Sequence, residues 1–67
     1  MYEQMLANLV IVHLKEPDHS GRTSFSARLI DYTDNRLEFE NKSGIVWIID
    51  ESSIAKVTLL KPFTSGR

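Results

Sequence analysis

The stretch Ile45-Val46-Trp47-Ile48-Ile49, followed at once by Asp50 and Glu51, constrains the fold of this chain more than any other. Successive side chains of a strand point to opposite faces, so an unbroken apolar run gives a strand that is apolar on both. One face can pack on the chain's own core. The other needs a second cover, because an uncovered strand of this composition is an aggregation segment.

The length sharpens that demand. Sixty-seven residues make one domain, and a chain of this size buries only about 60% of its unfolded surface. Small domains offset the shortfall with disulfides, a metal or association. The sequence has no cysteine and two histidines, which excludes disulfides and cysteine-based zinc sites and suits a reducing, cytoplasmic setting. His13 alternates with Val12 and Leu14, and His19 sits in a polar loop. Neither has a second ligand at metal spacing, so no metal or other cofactor is expected. Association remains, and it would also cover the second face of the run.

Eight Lys and Arg stand against nine Asp and Glu. The chain lacks the basic excess of most nucleic-acid binders, which argues against DNA as a partner. No apolar run approaches the roughly 18 residues of a membrane span. The segment MYEQMLANLVIVHLKEP has neither a basic n-region nor a small-residue cleavage site. The expectation is a soluble cytoplasmic protein with no membrane partner.

The patterning predicts a mainly β fold over a single domain, residues 1–67. Tyr2, Met5 and Leu6 at i, i+3, i+4, among good helix formers, predict a short N-terminal α-helix over 2–8. Strands are expected over 9–16, 22–32, 36–41, 45–50 and 54–60, with a frayed tail over 63–67. Phe25, Ala27 and Leu29 alternate with Ser24, Ser26 and Arg28, but the alternation breaks at Ile30-Asp31. A bulge there would re-aim Tyr32. Thr33-Asp34-Asn35 and Asn41-Lys42-Ser43-Gly44 read as turns. Close-spaced short strands after one helix give a strongly bent five-stranded antiparallel sheet or small open barrel.

This order, with its loop lengths, resembles the Sm-like (LSm) superfamily, to which the bacterial host-factor protein Hfq belongs. Val10, Val12 and Leu14 match the first strand of the family's first motif. Phe25-Ser26-Ala27-Arg28-Leu29 matches the next element, with Ala27 where the family has glycine. Tyr32 falls on the usual aromatic. Thr33 stands at the family's Asp, with Asp34 one place later, and Asn35-Arg36-Leu37 resembles the Asn-Leu segment. The second motif, Ile-Arg-Gly-x-x-Ile, reads Ile49-Asp50-Glu51-Ser52-Ser53-Ile54 here, so acids replace the base and the glycine.

The resemblance implies a homo-oligomeric ring of about five to seven subunits, closed by pairing the fourth strand of one copy with the fifth of the next. The expected interface residues are Ile45, Val46, Trp47, Ile48, Val57 and Leu59. It also implies single-stranded RNA as ligand, on Tyr32, Asp34, Asn35 and Arg36: a ring to stack a base, an amide to read an edge, a guanidinium for phosphate. Asp50, Glu51 and Ser52 would then line the pore, where the acids repel phosphate. The bland readings are a hairpin turn for the first group and a solvated polar turn for the second. A Trp in an apolar strand is more often core or interface than a base-stacking platform.

Lys15, Arg22 and Arg28 are a weaker alternative basic surface, set among Glu16 and Asp18. Asp31 and Asp34 are paired carboxylates by sequence alone. No Ser-His-Asp order, phosphate-cradling glycine loop or HExxH occurs, so no catalytic residues are assigned and no enzyme is expected. Two functions follow. One is a ring-forming RNA chaperone or scaffold. The other is an interaction ring with an acidic pore for a protein or cationic partner.

Overall fold

In the computed structural model, which describes residues 2–60, the chain folds as five antiparallel strands: β1 (Leu9–Leu14), β2 (Ser24–Thr33), β3 (Arg36–Glu40), β4 (Val46–Asp50) and β5 (Ile54–Leu59). Their order across the sheet is β4-β3-β2-β1-β5. β4 and β5 are therefore the two edges, joined by a single 3-10 turn, Glu51–Ser53. The expected tail over 63–67 lies outside the described residues. No helix among the described residues is long and apolar enough to cross a membrane.

The sheet curls around one apolar cluster. Val10, Val12, Ala27, Leu29, Leu37, Phe39 and Ile54 form the buried core. Phe25 on β2 meets Trp47 on β4 with ring centroids 5.4 Å apart, although β3 lies between them. In a flat sheet two strand spacings amount to about 10 Å. The strands thus bend inward, and Phe39 completes the aromatic group from β3, at 5.3 Å from Phe25 and 6.0 Å from Trp47. Ala27 is buried opposite Val10.

Two bulges set which side chains face in. The β2–β3 register passes from Leu29↔Phe39 to Asp31↔Glu38, leaving Ile30 without an opposite number. This swaps the parity of β2, so Tyr32 turns to the core side opposite Leu37. The alternation break at Ile30 in the sequence foreshadowed it. A second irregularity, where Leu14↔Ile54 gives way to His13↔Lys56, leaves Ala55 unpaired. Ile54, Val57 and Leu59 all face the core as a result.

The turns follow their residues. Asp34 and Asn35 both have positive φ, 54° and 63°, the two-residue connection that suits the twist of a hairpin and that Asp and Asn tolerate. At the β3–β4 turn the Asn41 side-chain oxygen accepts from the Ser43 and Ile45 N–H groups at 2.9 and 3.0 Å. Gly44, at φ 85°, supplies the left-handed residue.

The expected N-terminal α-helix is not formed; the segment holds only a 3-10 turn, Glu3–Met5. One short turn lacks the length to repay helix nucleation. Leu6 is already extended (ψ 139°) and Ala7 takes a positive φ of 69°. That kink hands the backbone to the sheet: Ala7 N–H donates to the Leu29 carbonyl at 2.7 Å, and Leu29 N–H to the Asn8 carbonyl at 3.1 Å. Tyr2, Met5 and Leu6 still dock on the core, as their spacing required.

Candidate functional site

From Val46 to Ile49 the apolar run divides as its alternation demands, while Ile45, just before the strand, is exposed as well. Trp47 and Ile49 pack against the core. Ile45, Val46 and Ile48 remain 59%, 45% and 59% exposed. The second face of the strand is thus open in a single chain.

The same strand also carries open backbone groups. Asn41 N–H donates to the Ile45 carbonyl and Glu51 N–H to the Asn35 carbonyl, both in register with the β3–β4 ladder. Hydrogen-bonded pairs alternate along an antiparallel ladder, so Ile45, Trp47 and Ile49 point their backbone groups at β3. Val46, Ile48 and Asp50 point theirs at the free edge. On β5, Leu60 N–H donates to the Leu9 carbonyl, and the same alternation leaves Val57 and Leu59 at the other free edge. A groove of about 670 Å³ runs beside the β4 edge, lined by Leu14, Lys15, His19, Ile48, Asp50 and Ser53 among others.

The structure gathers the two polar groups expected from the sequence. The Glu51 N–H bond to Asn35 docks the 3-10 turn on the β2–β3 turn. Asp50 stands opposite Arg36, and their side chains form an ion pair at 3.7 Å. Both are about two-thirds exposed, so the pair contributes at most about 1 kcal/mol. Tyr32 Oη donates to Glu51 Oε1 at 3.1 Å. Tyr2 closes over Tyr32, ring centroids 4.9 Å apart in an edge-to-face arrangement.

These contacts set the phenols' proton affinity. The Tyr32 phenol is pushed up, first by its hydrogen bond to Glu51, then by desolvation and the Glu51 charge. The Tyr2 phenol is pushed up by burial first, then by the Glu51 charge and hydrogen bonding to it.

Asp34, Asn35 and Arg36 are exposed at the turn, and Ser52 is exposed beside them on its own turn. A hollow of about 170 Å³ on the outer side is lined by Asp31, Thr33, Asp34, Arg36, Glu38 and Ile48. Its carboxylates all come from the β2–β3 hairpin, where the register sets Asp31 opposite Glu38 and Asp34 sits at the turn. The Tyr2–Tyr32 contact, by contrast, has no signature at short sequence spacing.

The alternative basic surface does not assemble. Arg22 is drawn to Asp18 at 3.9 Å. Asp18 organises the β1–β2 loop by accepting from Ser20 N–H, Ser20 Oγ and Arg22 N–H, each at 2.9 Å. The Arg22 and Ser20 hydrogen bonds hold its carboxyl below the usual range. Arg28 lines a different depression, beside Lys42 and Glu40, and Lys15 lines the groove at β4. Among the described residues no polar or charged side chain is buried, and no three or more His, Cys, Asp or Glu side chains are placed to hold one metal ion.

Comparison with known protein families, with characterised proteins and with solved structures finds no match to this chain.

Proposed function

We propose that the chain is a ring-forming, Sm-like RNA-binding protein that assembles through its two open edges and holds single-stranded RNA on the β2–β3 turn. The observation that carries the assembly is the fit of β4 to β5. In an antiparallel pair, residues directly opposite lie on the same face. Joining the free backbone groups of β4 in one copy to those of β5 in the next places Val46 beside Leu59 and Ile48 beside Val57. The exposed side chains of one edge thereby extend the neighbour's core. A shift of two residues would instead set Asp50 against Val57, a charge against an apolar side chain. The favoured register leaves Asp50 opposite Ala55 and free to keep Arg36.

The RNA reading rests on the exposed Asn35 and Arg36 of the turn that follows Tyr32, with Arg36 on the outer side and Tyr32 on the core side of the sheet, together with the family resemblance. Arg36 is partnered by Asp50 and Tyr32 by Glu51, so RNA must compete with the chain's own acids. That competition, with the hollow bearing Asp31, Asp34 and Glu38, favours a second reading: an interaction ring whose acidic surface takes a cationic protein segment.

The test is the binding of U-rich and A-rich RNA oligomers measured against salt. Phosphate contacts predict that log K falls linearly with log salt, by about 0.7 for each contact to a single strand. Micromolar or tighter binding with such a slope supports the first reading. No binding at low salt, with capture of a Lys- and Arg-rich peptide, establishes the second.

A further inference from the structure

Tyr32 is the one aromatic of the candidate RNA turn, and its ring is already occupied. Tyr2 stands edge-to-face on it at 4.9 Å. The Tyr32 hydroxyl is held by Glu51, and Glu51 is itself anchored through its N–H to Asn35. The covering segment is held unevenly. At Ala7 and Asn8 it is fastened to β2 by two backbone hydrogen bonds. Beyond that point, toward the N-terminus, it is held by side-chain contacts: packing of the partly buried Tyr2, Met5 and Leu6 and the hydrogen bonding of Tyr2 to Glu51. Ala7, a non-glycine residue at φ 69°, sits in a conformation that L-residues adopt at a penalty. A backbone anchor, a strained residue and a segment held by side-chain contacts make a strap with its pivot at Ala7.

We propose that this strap is autoinhibitory: Tyr2 stands in for a nucleobase on Tyr32, and single-stranded RNA binds by displacing it. The proposal rests on the RNA reading above and assigns Tyr2 to the control of that site. Base–aromatic stacking is tolerant of sequence because every base has a π-face, so a tyrosine ring is an adequate internal competitor. Displacement frees the Tyr32 ring, while Asn35 and Arg36, on the adjacent turn, keep their positions because their backbone is fixed by the hairpin. Glu51 then serves as the catch, since it acts on both phenols.

The experiment compares the full chain with Tyr2→Ala, Tyr2→Phe, Tyr32→Ala and Asp50→Asn. Each is checked for fold by far-UV circular dichroism and titrated with U-rich and A-rich RNA oligomers at one low salt concentration. Tyr2→Ala is expected to bind about three- to tenfold tighter than the parent, the order of one partial stacking contact. Tyr2→Phe, which keeps the ring and loses the phenol, is expected to fall between them. Tyr32→Ala is expected to weaken the parent and to cancel the gain of Tyr2→Ala. In the unmodified protein, nuclear Overhauser contacts between the Tyr2 and Tyr32 rings are expected to vanish at saturating oligomer. If those contacts persist at saturation, or if Tyr2→Ala binds no tighter while Asp50→Asn does, the strap is refuted and the RNA reading stands. If no variant binds at low salt, both fall together.

Discussion

Replacing Trp47 with alanine separates the two faces of the apolar strand. Trp47 is not the exposed member of the run. It is partly buried and touches Phe25 at 5.4 Å and Phe39 at 6.0 Å across the inside of the sheet. A fully buried Trp→Ala change removes about 3–5 kcal/mol, and aromatic pairs add about 0.5–1.5 kcal/mol beyond area. Partial exposure discounts the first figure, giving about 2–4 kcal/mol here. A domain of this length has about 3–10 kcal/mol in total. The variant should therefore melt about 8–32 °C lower, at about 4–8 °C for each kcal/mol in a small domain. Thermal unfolding followed by circular dichroism measures this. Trp47→Phe, which retains a ring in the cluster, should recover more than half of the loss. A Trp47→Ala protein that melts within about 2 °C of the parent would place the side chain outside the core and refute the curvature deduced from the Phe25 contact.

Ile48→Lys should do the reverse. Fully burying such a side chain is worth about 1.5–3 kcal/mol; with 59% of Ile48 still exposed, about 1–2 kcal/mol remains to be gained at each interface. The variant should keep its circular dichroism spectrum and lose assembly in sedimentation; assembly equal to the parent's would contradict the edge pairing. Stability should fall in alkali. Both phenols have folded pKa values raised above the ordinary value near 10, so their stabilising term is complete below that value and lost as pH rises through the raised ones. Melting temperature measured from about pH 9 to 11 should decline less in Tyr2→Phe, Tyr32→Phe than in the parent; an equal decline would show that the Glu51 contacts do not hold the fold. Asp50→Asn should release Arg36 to phosphate, steepening the salt dependence of RNA binding by about 0.7. An unchanged slope would leave Arg36 out of the site.

The sheet was legible in the sequence where pattern and turn chemistry agree. Asp34-Asn35 supplied two residues that tolerate positive φ. Asn41 and Gly44 supplied a side-chain acceptor and a left-handed residue. The break at Ile30-Asp31 announced the bulge that turns Tyr32 inward. The expected strand ends at 16, 22, 32, 41, 45 and 60 differ by one or two residues from the observed ones, because strand ends are set by where the neighbour's backbone stops. The helix expectation failed at Ala7, where a good helix former is recruited to the bulged β2 by hydrogen bonds that local propensity does not register. The candidate site was half legible. Its residues were visible one by one. The contacts Arg36–Asp50 and Tyr32–Glu51 depend on the β3–β4 register and the docking of a three-residue turn. Spacing could not show that the acids answer the bases and phenols of the neighbouring turn. This is also why the apolar run stops where it does: Asp50 faces Arg36, and Glu51 faces Tyr32.

We propose β4 and β5 as complementary edges joined between copies of the chain. Sedimentation velocity of the unmodified protein across the micromolar range tests it most directly. The edge pairing predicts one discrete species whose mass is a whole multiple of 7.7 kDa, unchanged by moderate salt because the contact is apolar and backbone-mediated. A single 7.7 kDa species at every concentration would contradict it.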